Sequence, residues 1–340
     1  MKKTSVCICG GGNLGLVCAG VLAAQGFDVR ILTGHPERWH HTVEVIDEKG
    51  QTFSGNLERI SSAAADVIPG ADIVLLCLPG YLIERTLIEL SPYIGESSAV
   101  GSIVSSTGFF FFAHRIMPGQ PLFGFQRVPF ICRVKEYGRV GLLLGYKKSI
   151  SVAIENMADA DGFVMLLESM FKTPVGRLES FYEAALTNSN PILHTARLYS
   201  MWGDGFEPVS RRILFYADWT DSASELMIEM DREFMALLRA LNLREGAVPS
   251  LLDYYESTDA ASLTAKIRSI GAFKEITAPM IQTPEGWIPD FGSRYFTEDF
   301  AFGLRFIKEL AEAHSVAAPT IDRVYAWGIS LENRGEQADN

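Results

Sequence analysis

A chain of 340 residues has room for two domains, each with a substantial core. With 48% apolar and 21% charged residues the composition is that of an ordinary globular protein, and no apolar run is long enough to span a bilayer. A net charge of -11 argues against a nucleic-acid partner, because phosphate binding needs a basic face. The five cysteines, at 7, 9, 18, 77 and 132, are odd in number and lack disulfide-scaffold spacing. They are expected to be small buried hydrophobes in a reducing compartment, by default the cytoplasm.

In chain order, the first element is a short apolar strand, Ser-Val-Cys-Ile-Cys at 5–9; after Met1-Lys2-Lys3 it resembles a charged signal-peptide front, but a glycine turn follows this one short strand, so it is expected to belong to the fold. It runs into Gly10-Gly11-Gly12-Asn13-Leu14-Gly15, then a helical pattern over 14–25 closed by Gly26, then a second strand over 27–32. Strand, G-x-G-x-x-G and helix in this order predict a dinucleotide site. Gly10 permits the tight turn, Gly12 lets the backbone approach the pyrophosphate, and Gly15 packs helix against strand. The N–H groups at Asn13 and Leu14 then face the phosphates from the positive helix end.

At the tip of the second strand an acidic residue would accept from an NAD ribose. Here the sequence is Thr33-Gly34-His35-Pro36-Glu37-Arg38. Thr33 followed by His35 and Arg38 suits a 2′-phosphate, so NADP is favoured; if Arg38 is a solvated loop charge and Glu37 reaches the ribose instead, NAD is used.

Residues 71–78 form a uniformly apolar run, as expected of a buried parallel strand, and end at Pro79-Gly80 on the ligand-binding edge. A further strand is expected over 98–104, with others over 122–128, 140–144 and 150–154. Phe109 to Phe112 are four consecutive aromatics, expected to be core or a seam between domains. A helix over about 161–171 closes the first domain, and Thr173-Pro174-Val175-Gly176 marks a boundary that divides the chain into 1–175 and 176–340.

Beyond it helical periodicity dominates. Leu226, Met230, Phe234, Leu237 and Leu241 mark one face of a long helix, and another helix is expected over roughly 298–314. In Asn190-Pro191-Ile192-Leu193-His194, Asn190 is a favourable N-cap, Pro191 suits the first helical position, and His194 shares a face with Asn190. The helix dipole opposes a charged imidazole and a nearby carboxylate favours it, a balance that suits proton exchange. Arg294-Tyr295-Phe296-Thr297-Glu298-Asp299 supplies a candidate carboxylate, Asp299, and a guanidinium fork, Arg294, for an acidic substrate. Trp287 and Asp290 lie just upstream, either as a pocket wall or as a structural turn. His35, His40 and His41 are clustered, but without the spacing of metal ligands.

The glycine motif, Asn190-Pro-x-x-His194 and Arg294 to Asp299, in this order and at about these distances, resemble the octopine/nopaline (opine) dehydrogenase family over nearly the whole chain. That resemblance implies an α/β protein: an N-terminal Rossmann-type doubly wound parallel sheet followed by an all-helical C-terminal domain. It implies an NAD(P)-dependent oxidoreductase that condenses an amino acid with a 2-oxo acid such as pyruvate and reduces the imine, or runs the reverse oxidation at CH–NH. By position His194 matches the family's proton-relay histidine, Asp299 its partner acid, and Arg294 the arginine that grips substrate carboxylate, with Asn190 beside them. The expected partners are these small molecules, with a homodimer possible and neither membrane nor nucleic acid involved. The alternatives are a ketopantoate-reductase-like 2-oxo-acid reductase, expected to carry a lysine where this chain has His194, and a non-catalytic NADP-sensing regulator.

Overall fold

The computed structural model describes residues 3–335. The chain forms two compact units, one running to Thr187 and the other beginning at Asn188. The division expected near residue 175 falls before two short elements that pack on the first unit. One is a strand at Val175–Arg177, which adds to the main sheet, and the other a helix at Phe181–Ala185.

The first unit opens with β1 (Ser5–Cys9), α1 (Asn13–Ala24) and β2 (Asp28–Leu32). Then come β3 (Thr42–Asp47), β4 (Thr52–Asn56), β5 (Arg59–Ser61), α2 (Ala64–Val67), β6 (Ile73–Leu76), α3 (Gly80–Leu90), β7 (Ala99–Ile103) and α4 (Phe109–Ile116). The remaining elements are β8 (Leu122–Phe125), β9 (Phe130–Glu136), β10 (Val140–Tyr146), β11 (Ile150–Glu155), α5 (Ala160–Phe171), β12 (Val175–Arg177) and α6 (Phe181–Ala185).

Six strands lie parallel in the order β5-β2-β1-β6-β7-β8. This is the doubly wound dinucleotide order, with its switch point beside β1. β11 adds antiparallel to β8, and β12 completes the eight-stranded sheet.

A second sheet, β4-β3-β10-β9, was not anticipated as a separate layer. It explains why α1 is apolar on every side: Gly15 to Ala23 are all buried, because one sheet covers each face. The contact is close. A Cβ at Gly20 of α1 would lie 2.4 Å from Val45 of β3. Phe109, Phe110 and Phe112 are core residues of α4, and Phe110 and Phe111 meet Phe181 of α6. Cys7, Cys9, Cys18 and Cys132 are buried and Cys77 is half-buried, all as free thiols.

The second unit comprises α7 (Asn190–Trp202), α8 (Asp221–Ala240), α9 (Leu251–Tyr254), α10 (Ala260–Ser269), β13 (Met280–Thr283) and β14 (Gly286–Pro289). It continues with α11 (Arg294–Thr297), a π-helical turn at Phe300–Leu304, α12 (Arg305–Ala313) and α13 (Pro319–Gly335). Its centre is α8, which packs against α7, α10, α12 and α13 through a buried face that includes Leu226, Met230, Phe234 and Leu237. Thr220 caps it by accepting from Ala223 N. The unit is helical as expected, with one addition, the hairpin β13–β14. A two-residue turn, Pro284-Glu285, joins its strands, and they are too short to register as alternation in the sequence.

Candidate active site

In the first unit the glycine turn is shaped as the motif predicts. Gly10 has φ +117°, and a Cβ there would lie 2.6 Å from the carbonyl oxygen of Cys77. A Cβ at Gly15 would lie 1.9 Å from the Gly10 oxygen, so only glycine lets α1 begin this close to β1. At Gly12 a Cβ would meet nothing within 4 Å, which leaves the backbone open to a ligand. The first N–H groups of α1, at Asn13, Leu14 and Gly15, have no intrahelical acceptors. The Asn13 side chain is committed elsewhere, because its Oδ1 accepts from Val134 N of β9 at 2.7 Å. A cavity of about 380 Å³ adjoins the turn, lined by Gly10, Gly12, Thr33, Arg85 and Tyr137 among others. Pro79 is the extended residue from which α3 starts. Glycine turn, open backbone and cavity together fit a dinucleotide.

At the tip of β2, Thr33 is buried and its hydroxyl lies 3.3 Å from that of Tyr137. Arg38 is exposed, and its guanidinium stacks 4.4 Å from the Tyr137 ring centroid. Glu37 faces His35, at 3.5 Å from Nδ1. Tyr137 was not foreseen; it arrives from the β9–β10 turn, more than a hundred residues away in sequence.

In the second unit the structure brings His194 and Asp299 together: His194 Nδ1 and Asp299 Oδ2 are 2.8 Å apart. The contact depends on how the two segments pack. A Cβ at Gly303 would lie 2.6 Å from Pro191 Cγ, so glycine lets the π-helical turn close on the first turn of α7. The expected single helix over 298–314 is therefore interrupted. Asp299 sits between α11 and the π-helical turn, where the amide of Leu304 donates to its carbonyl at 2.8 Å. α7 also starts one residue earlier than the cap rule suggested. Ser189 occupies the N-cap position and Asn190 is the first helical residue, exposed to solvent, with its amide donating to the Asn188 side chain at 3.2 Å.

His194 is only 8% exposed. A carboxylate can only accept, so Nδ1 carries the proton and Nε2 presents a lone pair. That lone pair faces the hydroxyl of Tyr216 at 3.0 Å. Phe215 and Tyr295 flank the imidazole at 5.5 and 4.7 Å between centroids. Burial raises the Tyr216 phenol above its ordinary range, as do neighbouring Tyr295, Tyr255 and Asp299. Tyr295 is raised by burial and then by Asp299. Arg197, one turn beyond His194 on α7, is buried and lowered to about 10 by desolvation. It donates to the carbonyls of Phe215 at 3.1 Å and Asp218 at 2.7 Å, on either side of Tyr216.

Arg294 begins α11 with its side chain 83% exposed, its Nε 4.0 Å from Glu298. Trp287 lies on β14 beneath the guanidinium of Arg212, and Asp290 accepts from Gly292 N at 3.1 Å, a structural turn. Sequence reasoning missed Tyr216 and Arg197. Arg197 offered one signal, its position three residues after His194 on the same helix face.

A dinucleotide turn in one unit and a buried His194–Asp299 pair in a helical second unit fit an NAD(P)-dependent oxidoreductase. Residues 177–331 match the family described as NAD/NADP octopine/nopaline dehydrogenase, alpha-helical domain, and residues 6–107 match ketopantoate reductase PanE/ApbA. The chain is 29% identical to octopine dehydrogenase of Mizuhopecten yessoensis, over 95% of this chain and 88% of that one. It is 26% identical to tauropine dehydrogenase of Arabella iricolor, over 95% and 90%. A solved octopine dehydrogenase with NADH and L-arginine superposes with a TM-score of 0.83 at 26% identity, covering 97% of this chain and 89% of that one. The helical second unit thus matches the octopine/nopaline dehydrogenase domain, and along nearly its whole length the chain is similar to octopine and tauropine dehydrogenases.

Proposed function

We propose that this enzyme joins the amino group of an amino acid to a 2-oxo acid, reduces the resulting imine, and runs the reverse oxidation. The observation that carries the reading is the buried Asp299–His194 pair. It suits a reaction in which a nitrogen must lose one proton to attack and an oxygen must gain one to leave as water. Asp299 holds the Nδ1–H tautomer and stabilises the imidazolium when His194 takes a proton at Nε2. Arg294 receives a substrate carboxylate in its exposed fork, and Asn190, one turn before His194, lines the approach. The relatives carry different names, octopine and tauropine dehydrogenase, so those names do not fix the amine here.

The cofactor, when bound, supplies or accepts the hydride. Gly10, Gly12 and the amides of Asn13, Leu14 and Gly15 take its pyrophosphate, with Pro79 at the mouth of the neighbouring turn. We infer a preference for NADP. The tip of β2 lacks an acid, Glu37 is turned to His35, and Arg38 is held over Tyr137 beside Thr33. The 2-oxo-acid reductase alternative is disfavoured, because α7 carries no lysine and places His194 against a carboxylate. The test is omission. NADPH oxidation should require the amino acid and the 2-oxo acid together, and equal rates with the oxo acid alone would refute the reading.

A further inference from the structure

Gly11 is the one glycine of Gly10-Gly11-Gly12 that the dinucleotide motif leaves open to any residue. Its φ is not positive, so the demand at this position is for space. A Cβ there would lie 2.8 Å from Thr33 Oγ1, 2.8 Å from Tyr137 Oη and 3.2 Å from Trp39 Cζ2. The phenol of Tyr137 thus rests on the glycine turn beside the tip of β2, where a dinucleotide fold reads the adenosine ribose. Tyr137, Thr33 and Gly11 all line the cavity of about 380 Å³.

The backbone around Tyr137 fixes its place. Gly138 has φ +70°, and a Cβ there would lie 2.3 Å from the carbonyl oxygen of Arg38. The His40 amide donates to the Gly138 carbonyl at 3.0 Å, and the Trp39 ring meets Tyr137 edge to face at 6.1 Å. The β9–β10 turn and the segment after β2 are therefore one block, and through it the second sheet reaches the edge of the cavity. Trp39 Nε1 is buried with no hydrogen-bond partner among the described residues, so the block leaves one donor beside the turn unsatisfied. The Arg38 guanidinium lies over the Tyr137 ring at 4.4 Å, which covers its flat face and leaves its N–H edge for an anion.

The direction of the hydrogen bonds decides what the phenol can recognise. Thr33 Oγ1 accepts from the His35 amide at 3.4 Å and lies 3.3 Å from Tyr137 Oη. When the threonine hydroxyl donates to Oη, the phenolic proton is left for a ligand. A site for a free 2′-hydroxyl places an acid at this point, which accepts. A phenolic donor beside a guanidinium suits a phosphate monoester, whose oxygens accept.

We propose that Tyr137, supplied by the second sheet, reads the 2′-phosphate on the adenosine ribose of the cofactor. Its hydroxyl donates to a phosphate oxygen, and its ring holds Arg38 toward the same group. The proposal rests on the NADP preference inferred above and adds to it the residue that enforces the choice.

The test is binding alone, by calorimetric titration with NADPH, NADH and adenosine 2′,5′-bisphosphate. Tyr137→Phe keeps the ring beneath Arg38 and removes the hydroxyl. Its Kd for NADPH and for the bisphosphate should rise about tenfold, as for one hydrogen bond to a charged group, while that for NADH stays within about twofold. Tyr137→Ala also removes the platform. Its NADPH Kd should rise about 100-fold, and adding Arg38→Ala to it should cost less than about threefold more, because the two side chains act as a unit. An unchanged NADPH Kd in Tyr137→Phe, or equal losses for NADPH and NADH, overturns the proposal. So does a full tenfold cost of Arg38→Ala in the Tyr137→Ala background. A wild type that binds NADH as tightly as NADPH would instead refute the NADP preference itself, and the proposal falls with it.

Discussion

Replacing Asp299 with asparagine keeps the shape of the side chain and removes its charge. In the native site the carboxylate accepts from His194 Nδ1 at 2.8 Å, and the two side chains are 16% and 10% exposed, so water screens the pair little. A hydrogen bond between charged partners contributes roughly 1.5–3 kcal/mol net. In the role proposed for His194 as proton acceptor, most of that stabilisation belongs to the barrier and little to substrate binding. At about 1.4 kcal/mol per tenfold, kcat of Asp299→Asn should fall roughly 10- to 150-fold. The loss is greater if the amide turns its NH2 toward Nδ1, since the ring must then adopt the Nε2–H tautomer and cannot accept from Tyr216. The assay is initial-rate NAD(P)H oxidation at saturating amino acid and 2-oxo acid, with cofactor Kd from fluorescence titration. The cofactor turn lies in the other unit, so Kd should stay within twofold. A kcat within threefold of wild type would refute the assignment of Asp299.

Three other outcomes are expected. Gly15→Ala drives a Cβ into the Gly10 carbonyl, 1.9 Å away, so it should weaken dinucleotide binding at least tenfold and cost about 1–3 kcal/mol in urea unfolding; unchanged Kd would show that the turn does not hold the cofactor. Arg38→Ala should raise the Kd for NADP about tenfold and leave that for NAD within twofold, read by fluorescence titration, and equal effects on both would remove the inferred preference. Asp231, buried on α8 where it accepts from Leu251 N at 3.0 Å, is raised by burial to about 6. A carboxyl raised above its unfolded value of 3.8 contributes stability that is present below pH 3.8 and lost as pH rises through 6, an effect of about 3 kcal/mol for a rise of this size. Asp231→Asn should therefore be stabilised relative to wild type at pH 7.5 in urea titrations, with the gap narrowing steadily as pH falls from 6 toward 3.8, and a pH-independent gap would count against the mechanism.

The sequence was legible wherever one local rule decided the outcome. β1 and the start of α1 lie where the glycine motif puts them, since Gly15 answers a steric demand from Gly10 only five residues away. The buried face of α8 follows the 3.6-residue period of Leu226, Met230, Phe234 and Leu237. His194 and Asp299 were individually visible, but their meeting depends on Gly303 admitting Pro191, a contact over more than a hundred residues that no local pattern encodes. Of the second sheet only the strand over 140–144 was expected; its pairing with β3 and β9 is long-range and left no local signal, although the all-round burial of α1 required some cover. Tyr216 was hidden for another reason: within Leu214-Phe215-Tyr216 and Trp219 it looks like one more core aromatic, and only the distance to Nε2 distinguishes it.

The central claim is that this enzyme forms a bond between nitrogen and the carbon of a 2-oxo acid. Its most direct test is the mass of the product made from NADPH, pyruvate and a pool of amino acids. The account predicts a secondary amine whose mass is that of one amino acid plus pyruvate, less one water and plus two hydrogens. Formation of the 2-hydroxy acid alone, at the same rate with and without the amino acids, would contradict it.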